Sequence, residues 1–170
     1  RHPEEVAWTD KIEEDLARRD FTINAIALSV IANPAGVWQS ILIDPFDGQS
    51  DIKNKIIRAV GDPTKRFRED ALRLMRAIRI SAQLNFNIEE KTFQAIEENA
   101  SLIKEVALER IRDELLKLLA SQQAYEGILK LKEVGILQII LPELERCFGL
   151  QQEGPKHDRI YDIGQHSLLS

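Results

Sequence analysis

Asp70 and Arg73 offer the most specific chemistry in this chain. An ionised carboxylate presents only hydrogen-bond acceptors, and a guanidinium presents a rigid fork of donors. Three positions apart on a helix, the two side chains project from one face. A fixed donor-and-acceptor pair of this kind suits the edge of a nucleobase, as Arg and Asp suit base edges in nucleic-acid grooves. Taken alone, the pair reads more simply as an intrahelical ion pair worth about 0.3 kcal/mol. Arg76 and Arg79 continue along the segment at three-residue steps. Arginine fits phosphate bidentately, so this row could hold a triphosphate or an RNA backbone; a solvated basic face is the plainer use. A second charged group, Arg18-Arg19-Asp20, runs straight into Phe21-Thr22-Ile23-Asn24-Ala25. Charges that enter a buried element need partners. Phosphates and ribose hydroxyls would supply them; so would a helix N-terminus capped by Asp20, with both arginines in solvent.

These residues need elements to hold them. Phe67, Ala71, Leu74, Met75, Ile78 and Ala82 form one apolar stripe at helical spacing, which predicts a continuous helix over about 64–83. Arg66, Glu69, Asp70, Arg73 and Arg76 fall off that stripe. Asp62 caps this helix and Pro63 suits its first position. The dense apolar stretch from Leu16 to Ile31 predicts a largely buried helix, ended by Asn33-Pro34-Ala35-Gly36. Residues 1–14 read as a loop leading into it. Ile41-Leu42-Ile43 is strand-like, Asp44 to Gly48 is a turn, and Asp51 to Val60 reads as a short helix followed by a strand. Beyond the turn at Asn85-Phe86-Asn87 everything reads as helix, near 89–99, 106–120, 122–134 and 136–140. Ser101 and Ser121 are candidate caps, and Gly135 and Pro142 candidate breaks. The fold class is therefore α+β and predominantly α-helical, a mixed piece followed by an all-helical one, with the break near Gly61-Asp62-Pro63.

Bulk properties narrow the function. The chain has 170 residues, 44% of them hydrophobic, as a core-forming globular protein requires. No apolar run reaches the length of about 20 residues that spans a bilayer. Cys147 is the one cysteine, so no internal disulfide forms, which fits a cytoplasmic setting. The net charge of −5 hides a local pattern. Lys53 to Arg79 holds nine basic and three acidic residues; Glu89 to Glu114 holds eight acidic and four basic ones. A basic segment beside an acidic one fits a polyanion site on an acidic protein, and on charge alone two solvated helix faces fit better.

Four motifs occur in order at close spacing: Arg-Arg-Asp-Phe-Thr-Ile-Asn-Ala (18–25), Asp-Pro-Phe-Asp-Gly-Gln-Ser-Asp-Ile (44–52), Ile-Arg-Ala-Val-Gly-Asp-Pro (57–63) and Arg-Phe-Arg-Glu-Asp-Ala-Leu-Arg (66–73). Together they resemble the class II tRNA nucleotidyltransferase and bacterial poly(A) polymerase family, which includes the CCA-adding enzymes. Glu109-Arg110-Ile111 followed by Glu114 looks like a further family motif. The resemblance covers nearly the whole chain. It implies the C-terminal part of a nucleotidyltransferase head (1–61), a helical RNA-binding neck (62–145) and the start of a further helical body (146–170). It implies nucleotide binding by Arg19, Asp70, Arg73, Arg76 and Arg79, with Asp70 and Arg73 reading the Watson–Crick edge of CTP or ATP in place of a template. The implied activity is template-independent transfer of nucleotides to the 3′ end of tRNA.

The family's glycine-rich motif and its two Mg²⁺-binding carboxylates have no match here. The chain is accordingly read as an internal fragment, without a catalytic or metal site of its own and unable alone to transfer a nucleotide. Three alternatives stay open: poly(A) addition, a non-catalytic RNA- or nucleotide-binding helical module, and an HD-type phosphohydrolase beginning near His166. His157-Asp158 looks like a metal dyad but is followed by a polar loop, and His166, as one histidine, makes no metal site. Trp8 and Trp38 are expected to pack, and Cys147 to end a helix in the core.

Overall fold

The computed structural model describes residues 11–32, 38–150 and 162–165. Trp8, His157 and His166, the turn at 33–36 and the Trp38 side chain lie outside what it describes. The fold is mostly helical with a few short strands. Helix α1 (Ile12–Leu16) leads to a 3-10 turn (Thr22–Asn24) and then to β1 (Ala27–Ala32), which pairs antiparallel with β2 (Trp38–Ile43). Helix α2 (Gly48–Asn54) and β3 (Ile56–Ile57) follow. The rest is α3 (Pro63–Glu69), α4 (Leu72–Leu84), β4 (Asn87–Ile88), α5 (Glu90–Asn99), a 3-10 stretch (Ala100–Glu105), α6 (Leu108–Leu119), α7 (Ala124–Glu133), α8 (Leu137–Ile140) and α9 (Pro142–Cys147).

Two expectations are corrected. The stretch expected to be a buried helix through Ile31 is a 3-10 turn followed by strand β1. Length and apolarity do not separate a buried helix from a strand; an available partner does. Here Leu28 faces Leu42, and Ala27 faces Ile43, in an antiparallel ladder. The helix expected over 64–83 is broken. Asp70 is extended (φ −151°, ψ 104°), so α3 ends before it and α4 starts after it. A short carboxylate competes with the helix by accepting from the backbone two residues on. Asp70 Oδ1 does so from the Leu72 N–H at 3.1 Å.

Several local signals elsewhere hold, and the two serine caps do not. Asp62 Oδ1 accepts from the Lys65 N–H at 2.9 Å, with Pro63 at the first helical position. Asn85 ends α4 at φ +54°, a conformation Asn tolerates, and Gly135 ends α7 at φ +75°. Pro142 opens α9 rather than only breaking what precedes it. Neither serine caps a helix: Ser101 sits within the 3-10 stretch, and the Ser121 hydroxyl donates back to the Leu118 carbonyl at 2.6 Å. Cys147 is the last residue of α9 and only half-buried.

The main core crosses residue 61. Phe21 and Ile57 are fully buried in the same cluster as Phe67, Leu74, Met75 and Ile78. Ile96, Ile103, Leu118, Ile128 and Leu131 complete it from the later helices. Backbone pairing crosses the same point, because β3 runs parallel to β4 with Ile57 opposite Ile88. A smaller cluster of Leu16, Ala25 and Val60 packs against the Ala27 and Ile43 face of the hairpin.

Candidate functional site

Helix α4 is amphipathic, with its apolar face in the core and its arginines along the opposite edge. Each arginine meets a different part of the fold. Arg73 Nη1 donates to the Arg66 carbonyl at 3.1 Å and to Glu69 Oε2 at 3.0 Å; its Nη2 donates to the Arg18 carbonyl at 3.1 Å. Those bonds use three of the five N–H donors a guanidinium carries. One turn on, Arg76 Nε donates to Asp20 Oδ2 at 2.8 Å and its Nη2 contacts the same oxygen. The Arg-Arg-Asp segment is therefore strapped to α4 by two successive arginines. The Asp20–Arg76 contact joins residues 56 positions apart.

Asp20 is buried, and it does not cap a regular α-helix as the sequence allowed. Its Oδ1 accepts from the Phe21 N–H at 2.9 Å and from Asn24 Nδ2 at 3.1 Å. Burial opposes its charge, but the hydrogen bonds from Asn24 and Arg76 outweigh that and hold its carboxyl below the usual carboxylate range. Arg19 is more open: its guanidinium is half-exposed and pairs with Asp15 Oδ2 at 2.7 Å. Arg79 is the most enclosed of the expected residues. Its Nε donates to Glu114 Oε2 at 2.6 Å, and its Nη1 contacts Gln83. Glu114 is itself buried and also accepts from Lys117 at 3.0 Å. By spacing alone Arg79 is one of a row of exposed arginines; in the fold it ties α4 to α6.

Asp70 does not share a helical face with Arg73, because it lies in the break. The two stay neighbours across the first turn of α4, where the Arg73 N–H donates to the Asp70 carbonyl at 3.0 Å. The Asp70 side chain turns to α6 instead: its Oδ2 accepts from Arg110 Nη2 at 2.8 Å. Burial raises its pKa, but the Arg110 and Leu72 hydrogen bonds and the charges of Arg110 and Arg73 bring it below the ordinary value. Asp70 is thus an ionised, partly exposed acceptor. Arg110 was not among the expected binding residues. It lay in the Glu109-Arg110-Ile111 motif, and only tertiary contact reveals its partner.

The constellation is an oriented acceptor beside a partly committed donor fork, flanked by Arg18, Arg19 and Arg76. That chemistry suits a planar, hydrogen-bonding, negatively charged ligand. Among the described residues, no group of three or more His, Cys, Asp or Glu side chains is placed to hold a metal ion. No described helix is long and apolar enough to cross a membrane. A broad concavity lined by Glu97, Ser101, Lys104, Gly135 and Gln138 contains none of the residues above.

A small mixed α/β piece packed on a helical one, joined through the charged edge of α4, is the architecture of the class that the comparisons identify. Residues 1–58 match the family model "Poly A polymerase head domain", and residues 85–148 match "Probable RNA and SrmB-binding site of polymerase A". The chain belongs to the tRNA nucleotidyltransferase and poly(A) polymerase family. It is 52% identical over 118 residues to a CCA-adding enzyme of Lactobacillus helveticus, covering 69% of this chain and 28% of that protein. The Bacillus stearothermophilus CCA-adding enzyme in complex with CTP superposes with a TM-score of 0.72 at 42% identity, covering 82% of this chain and 34% of that one. The Thermotoga maritima CCA-adding enzyme complexed with tRNA superposes at 0.67 and 30% identity, covering 85% of this chain and 32% of that one. The chain thus spans about a third of the length of these relatives.

Proposed function

We propose that this chain is the nucleotide-selecting and RNA-binding part of a cytoplasmic tRNA nucleotidyltransferase, which adds nucleotides from CTP and ATP to the 3′ end of tRNA. The observation that carries this reading is the ionised Asp70 acceptor beside the Arg73 fork, with Arg76 holding the Arg-Arg-Asp segment against the same helix. Hydrogen-bond polarity explains why such a pair would take both substrates. Cytosine presents an exocyclic amino donor next to a ring-nitrogen acceptor, and adenine presents the same order. Uracil and guanine present a carbonyl acceptor next to a ring N–H donor. Asp70 accepting and Arg73 donating match the first pattern and oppose the second. Arg19, Arg76 and Arg79 are assigned to the nucleotide site as well. The exposed Arg19 is suited to a phosphate, while Arg76 and Arg79 act through the elements they tie together.

The division into head (1–61), neck (62–145) and the start of a further body (146–170) belongs to the same reading, and the two family matches support it. The carboxylates that would bind Mg²⁺ are assigned to the remainder of the full-length protein. A second reading, poly(A) addition, draws on the polymerase descriptions of both family models.

One assay tests these readings. Full-length protein is incubated with tRNA lacking its 3′ end and each of the four nucleoside triphosphates, and the products are sequenced. Short additions of C and A support CCA addition, whereas long tails from ATP alone support the second reading. Asp70→Ala and Arg73→Ala should each lower the preference for CTP over UTP about 10- to 100-fold, the scale of one lost reading contact. Undisturbed preference in both variants would remove the assigned role. The isolated chain should incorporate nothing, with or without Mg²⁺.

A further inference from the structure

We infer that Arg110 is a positioning residue for nucleotide choice, holding the Asp70 carboxylate in the plane in which it meets the base; the inference rests on Asp70 being the base reader proposed above. Asp70 sits in an irregular link between two helices, where backbone geometry does not hold its side chain as a helix would. Two contacts fix it. Oδ1 is held locally by the Leu72 N–H at 3.1 Å, and Oδ2 by Arg110 Nη2 at 2.8 Å, from a residue 40 positions later on α6. A carboxylate held at one oxygen can still swing about that bond; held at both, its plane is set. Each oxygen keeps a second lone pair for a ligand.

The exposure of this pair distinguishes it from structural glue. The side chains of Arg110 and Asp70, which join α6 to the α3–α4 link, are 47% and 35% exposed, whereas those of Arg79 and Glu114, which join α4 to α6, are 13% and 4% exposed. The buried pair fixes how the helices lie, and the open pair lies where solvent and ligand reach it. An exposed ion pair adds little to stability. Its value here is geometric, since a hydrogen-bonding group misaligned by a fraction of an ångström loses much of its discrimination.

The test measures kcat/KM for CTP, ATP, UTP and GTP in the full-length protein and in Arg110→Ala, Arg110→Lys, Asp70→Ala and the double variant. Arg110→Ala should lower kcat/KM for CTP and ATP about tenfold, mainly through KM, and leave UTP and GTP nearly unchanged. Arg110→Lys should recover part of the loss, because it restores a charged donor without the fork. In the Asp70→Ala background, removing Arg110 should change selection no further. An equal loss for all four nucleotides, or losses that add in the double variant, would overturn the inference and leave Arg110 a general structural contact. Should Arg110→Ala fail to fold, Arg110→Lys in the two backgrounds separates the same outcomes. If Asp70→Ala itself leaves selection intact, the base-reading role fails first; if it blurs selection and Arg110→Ala does not, only the positioning role fails.

Discussion

The residues before and after Gly61 are stabilised in different ways. After it, helices α3 to α8 build most of a core, joined by Phe21 and Ile57, in which Leu74, Met75, Ile78, Ile96 and Leu131 are fully or almost fully buried. Before it, the β1–β2 hairpin packs its Ala27 and Ile43 face on a small cluster, while Leu28, Val30 and Leu42 point to the other face and are exposed. A two-stranded ribbon is marginal alone. What the earlier region lacks in apolar burial it replaces with polar ties. Asp20 binds Arg76, the Arg18 carbonyl binds Arg73, and the buried Asp51 accepts from the Thr22 hydroxyl and from Arg58. The region that presents Arg19 is thus held by directional bonds to α4, and the site forms where the two modes of stabilisation meet.

That contrast is open to direct attack. The largest difference should come from one truncation on each side. Ile78→Ala, in the buried stripe of α4, should lose about 4 kcal/mol, while Leu42→Ala on the exposed hairpin face should stay within about 0.5 kcal/mol. Chemical denaturation of both variants measures it, and comparable losses would erase the distinction.

Acid should act next, and on the polar ties first. Asp20, Asp70 and Glu114 all titrate below their ordinary values. A lowered folded-state pKa means the ionised form is favoured by folding. The stabilisation is therefore complete above the unfolded value of about 4 and drains away as pH falls through the folded value. Melting temperatures between pH 6 and pH 3 should drop at the acid end, and Asp20→Asn should flatten part of that drop. A melting temperature that rose on acidification would show that these carboxylates are not ionised partners.

The smallest effect should be at the junction itself. Asp62→Ala removes the side-chain bond to the Lys65 N–H and should cost about 1 kcal/mol, read from the same denaturation curves.

Much of the later region was legible in the sequence because its forces are local and periodic. The α4 stripe, the Asp62-Pro63 start and the turn at Asn85 each depend on residues within a turn or two. The earlier region was less legible. The apolar residues up to Ile31 suit a helix or a strand equally, and β2 decides between them. The site shows the same division. Asp70 and Arg73 stood out by type and spacing, yet the helix that was to align them is broken between them. Arg79 looked like one of a row and is enclosed against Glu114. Arg110 was visible in a motif but had no visible task.

By itself, the sequence determined the inventory: which acceptors and donors exist, where α3 begins and α4 ends, and which face of α4 is apolar. Those properties follow from side-chain chemistry and short-range geometry. The tertiary structure alone decided the pairings, with Asp20 against Arg76, Asp70 against Arg110 and Glu114 against Arg79. Each joins residues at least 35 positions apart, so packing of the core, and not local preference, sets which charges meet.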